Sequence, residues 1–263
     1  MRELFDEATG HSPLDPREAS RKSSTTPLRK RFYETTGVAE TPEGFAVTLD
    51  GKQVRTPGKR LLAAPVRELA EVMAAEWGAQ VDVIDPMSMP VTRLANSTVD
   101  GVANDVTAVR DDIAKYFGTD LLFYRASFPD QLIARQAEHW DPVLRWFADE
   151  LGAHFILAEG VMHVKQPEKA LEAARQALPE TPWAVAAMHV VTTITGSALL
   201  ALALYHKALT PDQVWLAAHI DEDWNGQQWG ADDEVMQRRA MRRRDFDAAV
   251  KVLEAVPRQA QGR

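Results

Sequence analysis

The stretch DEDWNGQQWGADDE, Asp221 to Glu234, sets six carboxylates and two tryptophans within fourteen residues. Paired carboxylates can do general acid–base work when a pocket holds both across a reacting bond and their surroundings separate their pKa values. If Pro211 to Trp229 is one helix, each residue advances about 100° around its axis. Asp221 then shares a stripe with Val214, Ala217, Ala218 and Trp224, and Glu222 falls between Trp215 and Trp229 at spacings of seven. An aromatic setting of that kind suits a raised carboxylate pKa. It is also costly unless a partner satisfies the charge. The partner is either a basic group of the same fold, with Arg238 to Arg244 as a ready cluster, or a group on another molecule. The first choice makes Asp221 and Glu222 braces of a helix pair; the second makes them part of a binding surface.

Other chemistries find little support. There is no glycine pattern of the phosphate-binding kind. Thr195-Gly196-Ser197-Ala198-Leu199 is not a nucleophile elbow, and its serine sits in an apolar helical region. None of the seven histidines forms a compact metal pattern; His219 and Asp223, four apart, are the one pair in the acidic segment that could share an ion. His189, in an apolar stretch, reads as a hydrogen-bonded core residue. No nucleophile, oxyanion donor or cofactor cradle accompanies the carboxylates. A small-molecule enzyme using Asp221 and Glu222 in a pocket therefore stands as the alternative to an interaction protein.

The elements that must position this segment follow from the rest of the chain. Its 263 residues, 45% hydrophobic, suffice for a sizeable core. A net charge of -8 and a pI near 5.4 argue against a general nucleic-acid binder. No cysteine is present, so disulfides and thiolate chemistry are excluded. The charged start MRELFDEATG leaves no room for the apolar run of a signal peptide. Trp183 to Tyr205 lacks Asp, Glu, Lys and Arg over 23 residues, but His189, its threonines, Gly196, Ser197 and many alanines favour a buried helical hairpin or bent helix over a membrane span.

The fold class expected is α+β: a small β-rich N-terminal domain followed by a larger, mostly α-helical C-terminal domain. Residues 1–30 read as a flexible polar arm, whose basic Arg21, Lys22, Arg29 and Lys30, with Arg31, could dock on an acidic surface. Residues 31–90 read as the β-rich domain with a covering helix. Asp50-Gly51 between FAVTL and KQVRT is a hairpin signal, and Leu69, Ala70, Met73 and Trp77 recur at helical spacing up to Gly78. Trp77 is expected in the core. Pro86 and Pro90 mark a junction rather than a long element. Residues 91–263 read as the helical domain. Its apolar stripes are Val102, Val106, Val109, Ile113 and Phe117, then Trp140, Val143, Leu144, Phe147 and Leu151. LLFYR is a short strand or a buried connector, HFILAEGVMHV a short hairpin, and a last helix spans about Asp232 to Val256.

Eight pieces, in order, carry a family resemblance. They are Arg31-Phe32-Tyr33, LDGKQVRTPGK, LAEVMAAEWGAQ, IDPMSMPVTRLANSTVD, YFGTDLLFYR, QAEHWDPVLRW, TGSALLALAL and AAHIDEDWNGQQWGADDE. Together they span about residues 31–255, and the chain resembles the ATP12 family of assembly chaperones for the F1 sector of ATP synthase. The resemblance implies a non-enzymatic chaperone that transiently binds the free F1 α subunit and releases it on pairing with β. It implies no cofactor, no nucleic acid and no stable membrane insertion, and a chain that is monomeric when free. The functional segment carries over as Asp221, Glu222, Trp224, Trp229, Asp232 and Asp233. Ala231 departs from the Glu that many relatives have, which leaves no role for that position here. Mitochondrial relatives carry a targeting extension that this start does not resemble, so the expected site of action is an alphaproteobacterial cytoplasm.

Overall fold

The computed structural model describes residues 28–230 and 232–257. The expectations for residues 1–27, Arg21 and Lys22 among them, and for Ala231 lie outside the described residues. The chain opens with β1 (Arg29–Lys30), β2 (Thr36–Thr41), β3 (Gly44–Leu49), β4 (Lys52–Gln53) and β5 (Ala63–Ala64). β3 is central: β2 pairs along its whole length, while β4 and β5 share its other edge, all antiparallel. Asp50 and Gly51 both adopt positive φ, the tight-turn geometry that Asp-Gly favours. Asp50 Oδ1 also accepts from the Glu34 and Thr35 amides, which ties the turn to the start of the sheet. Gly44, at φ +117°, is required because a Cβ there would lie 2.4 Å from the Ala64 carbonyl oxygen.

Helix α1 (Arg67–Gly78) covers the sheet with Leu69, Ala70, Met73 and Ala74. β6 (Val83–Ile84) pairs with β1. Trp77 is only half-buried; it packs on the core with its Nε1 lacking a partner, and Tyr33 donates to its carbonyl at 2.7 Å. The junction holds more order than its prolines suggest. Pro86–Ser88 form a 3-10 turn, and Pro90 begins helix α2 (Pro90–Asp100) at the position where a missing amide proton costs nothing. The Glu76 carboxylate of α1 accepts from the Val91 and Thr92 amides at 2.8 and 2.7 Å, so one helix caps the next.

Then come α3 (Val106–Tyr116), β7 (Tyr124–Arg125), α4 (Asp130–Leu151) and β8 (Ala158–Glu159). HFILAEGVMHV does not form a hairpin: β8 pairs in parallel with β7, more than thirty residues upstream. LLFYR combines both readings, a 3-10 turn at Leu121–Phe123 running into β7. After α5 (Glu168–Gln176), the apolar stretch divides into α6 (Pro182–Thr195) and α7 (Ala198–Tyr205). Gly196 at φ +68° makes the break, and Ser197 caps α7 by accepting from the Leu200 amide. All eight residues of α7 are buried, as an all-round apolar helix requires. Among the described residues no helix is long and apolar enough to cross a membrane. Pro211 starts α8 (Pro211–Ala218), followed by α9 (Ile220–Trp229) and α10 (Asp233–Ala255). One continuous core runs from Tyr33 through the sheet and α1 to Val256, joining the β-rich and helical parts.

Candidate functional site

The acidic segment does not continue α8. His219 breaks the helix: its backbone leaves helical geometry, its buried ring stacks on Trp215 at 4.0 Å, and Nδ1 hydrogen-bonds the Trp215 carbonyl at 2.7 Å. Burial pushes the His219 pKa down, and the Arg239 and Arg242 charges add to that against the Trp215 bond and Glu222. The ring is therefore neutral near pH 7, and its 3.8 Å approach to Glu222 is not an ion pair. Because the axis changes direction at His219, the single-helix stripes expected for Pro211 to Trp229 are not those observed.

The three carboxylates that open α9 point to three partners. Asp221 turns toward α4, where Gln136 Nε2 donates to it at 2.7 Å. Glu222 turns toward α10 and meets Arg242 at 2.7 Å, with side-chain exposures of 36% and 42%. Asp223 pairs with Arg239 of the same helix. Asp221 and Glu222 thus do not converge on one reacting centre, and His219 and Asp223 keep separate partners rather than sharing an ion. Partly exposed ion pairs contribute about 0–1 kcal/mol each. Two of them link α9 to α10.

The aromatic residues divide likewise. Trp224 is half-buried under the Arg135 guanidinium, 6.0 Å from its ring centre, and Arg135 also reaches Gln227 at 3.2 Å. Trp229 is 87% exposed. It does not enclose Glu222 with Trp215, which is buried elsewhere against Phe246. A groove of about 750 Å³ lies between α9 and the start of α10, lined by Glu222, Asp223, Trp229, Asp232, Met236 and Arg239. Asp232 caps α10 by accepting from the Val235 amide at 2.8 Å, and Asp233 is exposed in its first turn. Of the six residues expected, Glu222, Trp229 and Asp232 line one groove; Asp221 and Trp224 face α4, and Asp233 stands outside the lining.

Met236 was not singled out by sequence reasoning, while Asp223 was considered only as an ion ligand with His219 and Arg239 only as one of the Arg238 to Arg244 cluster. A signal existed for the arginines: Arg239, Arg242 and Arg243 share one face of α10 at helical spacing, opposite the acidic helix. Nothing local marks Met236. A second groove of similar volume opens beside the sheet, where Phe32, Tyr33 and Trp77 meet Arg29, Lys52 and Arg55. Arg29 stacks over Phe32 and Arg31 bonds backbone carbonyls around the end of α1, so these cations of the expected arm are part of the fold.

The groove thus displays an exposed aromatic and a methionine beside partly exposed ion pairs. The model of the ATP12 chaperone protein family matches residues 30–148. The Atu1473 protein of Agrobacterium tumefaciens is 48% identical and superimposes with a TM-score of 0.84, over 97% of this chain and 96% of that one. Atp12 from Paracoccus denitrificans is 35% identical with a TM-score of 0.80, over 87% of this chain and 99% of that one. A point variant of the Paracoccus protein matches with a TM-score of 0.79. The class is that of chaperones for ATP synthase assembly. The chain belongs to the ATP12 chaperone family.

Proposed function

We propose that this chain holds the free F1 α subunit until the β subunit takes its place, and that the groove between α9 and α10 is where it grips. The observation that carries this reading is Trp229, almost fully exposed, in a groove that Met236 and the partly exposed Glu222 and Asp223 pairs also line. A large aromatic left in water is unfavourable for a chain that never covers it, and aromatic and methionine side chains are enriched at interface centres. An unpaired subunit exposes apolar surface meant for its neighbour, which is an aggregation hazard during assembly. Trp229 and Met236 supply the covering surface. Glu222, Asp223, Asp232 and Asp233 set orientation and speed encounter with a basic rim on the client.

Asp221 and Trp224 act one step back, holding α9 against α4. Release needs only a more complementary surface on β; neither ATP hydrolysis nor a cofactor enters the exchange, and the chain acts as a monomer in the cytoplasm. The β-rich part up to about residue 90 and the helical part beyond it serve as one rigid support. Size-exclusion chromatography with light scattering tests the reading. The chain and isolated F1 α subunit should elute as a 1:1 complex that dissolves when β is added. Failure of correctly folded α to bind at both low and moderate salt would overturn it.

A further inference from the structure

The break at His219 leaves one ring atom without a use in the fold. Nδ1 lies 2.7 Å from the Trp215 carbonyl, which can only accept, so Nδ1 carries the proton. In the neutral ring Nε2 is then a bare acceptor. The side chain is 1% exposed, and Nε2 has no hydrogen-bond partner among the described residues. A buried acceptor left unpaired is costly, and such an atom calls for a role. Facing it at 3.8 Å is Glu222 Oε2, another acceptor. The same oxygen accepts from Arg242 Nη2 at 2.7 Å. That grip is a single bond: Arg242 Nε is also buried and without a partner among the described residues. Glu222 Oε2 therefore has two nitrogens beside it, one that donates and one whose lone pair repels it.

A proton on the ring reverses the second of these. Nε2 becomes a charged donor, and closing about 1 Å gives a charge-assisted hydrogen bond to Glu222. We propose that His219 is a positioning residue for Glu222: the neutral ring leaves the carboxylate on Arg242 at the groove, and the protonated ring draws it inward and loosens the link between α9 and α10. This rests on the reading that the groove grips the F1 α subunit with Glu222 orienting it. The groups that set the cost of the proton come from each neighbouring element. Burial opposes the charged ring most, and Arg239 and Arg242 of α10 oppose it too, while the Trp215 bond and Glu222 favour it. Asp223 of α9 pairs with Arg239, and Arg243 of α10 lies 5.2 Å from the Trp215 ring centre. Helix α4 contributes neutral groups, Trp140 on the Ala217 carbonyl and Gln136 on Asp221, and α7 is apolar throughout. The balance places the change on the acid side of the ordinary histidine range.

Nuclear magnetic resonance on the full chain alone reads this device directly. Above about pH 7.5, long-range proton–nitrogen spectra should show His219 protonated at Nδ1 alone. As pH falls toward about 5, the Glu222 carboxyl carbon should shift with the same midpoint as the His219 ring. His219→Asn keeps a donor where Nδ1 stands and removes the titrating nitrogen, so that step should vanish. Between about pH 7.5 and 5.5, affinity for isolated F1 α should fall about two- to fivefold more in the unsubstituted chain than in His219→Asn. A residue that merely fills space would not produce that difference in pH profile. If His219→Asn does not fold, the shared midpoint in the unsubstituted chain decides. A proton on Nε2 at neutral pH, a Glu222 signal that ignores the ring, or parallel affinity profiles would overturn the inference. Failure of the unsubstituted chain to bind α at any pH removes the functional reading instead, and the two resonances still decide whether His219 moves Glu222.

Discussion

Reversing one charge at the helix pair separates bracing from recognition. Glu222 and Arg242 meet at 2.7 Å, each between a third and a half exposed. Such a pair contributes about 0.5–1 kcal/mol. Glu222→Lys removes that and places an ammonium beside Arg242 and within the field of Arg239, a repulsion of similar size, so the cost is about 1–2 kcal/mol. For a chain of this length that lowers the melting temperature by about 2–8 °C. Adding Arg242→Glu restores an ion pair with its ends exchanged, and the melting temperature should return nearly to its starting value. Affinity for F1 α should not return, because the carboxylate now stands on α10 rather than on the lip of the groove. Thermal melting by circular dichroism and titration of the three proteins against α give both readouts. If affinity recovers together with stability in the doubly substituted chain, Glu222 only braces the helices and its role in orienting the client is wrong.

Two further expectations concern the scaffold. Asp120 is buried without a counter-charge, accepting from the Leu122 and Leu199 amides, and burial pushes its pKa up to about 6. The folded state therefore holds its proton more tightly than the unfolded chain: the associated stability is complete below about pH 4 and is lost as pH rises through about 6. The loss amounts to about 3 kcal/mol, so relative to the unsubstituted chain Asp120→Asn should gain that much between about pH 3.5 and pH 7 in urea denaturation, on top of a constant loss of one hydrogen bond; a difference that ignores pH would contradict the assignment. Gly44→Ala must strain a positive φ and push a methyl group against the Ala64 carbonyl, costing on the order of 3 kcal/mol, and an unchanged melting temperature would show that the β5 edge yields freely.

Local chemistry made much of the fold legible. Asp50-Gly51 announced the hairpin because few other pairs adopt two positive φ values in succession, and Leu69, Ala70 and Met73 announced the covering helix by their spacing. Gly196 within an apolar stretch marked the turn between α6 and α7. The departures share a cause: each was decided by a partner distant in sequence or by a single side-chain bond. Helix α2 is capped by Glu76 from another helix, and the parallel pairing of Tyr124 with Ala158 leaves no turn signal between them. The break at His219 depends on a ring returning to its own backbone, which periodicity does not register. At the site, composition identified the acidic aromatic segment, yet which carboxylate meets which arginine follows from that break. Of the two possibilities for the carboxylates the structure shows the internal one, the Glu222–Arg242 pair, which leaves part of the Glu222 surface in water.

The most direct measurement is the affinity of Trp229→Ser for isolated F1 α subunit, set against that of the unsubstituted chain. Trp229 is 87% exposed, so its loss should leave thermal stability nearly unchanged. An aromatic anchor at an interface centre is worth about 2 kcal/mol or more, so binding should weaken roughly thirtyfold. Equal affinity of the two proteins would contradict the placement of the client at this groove.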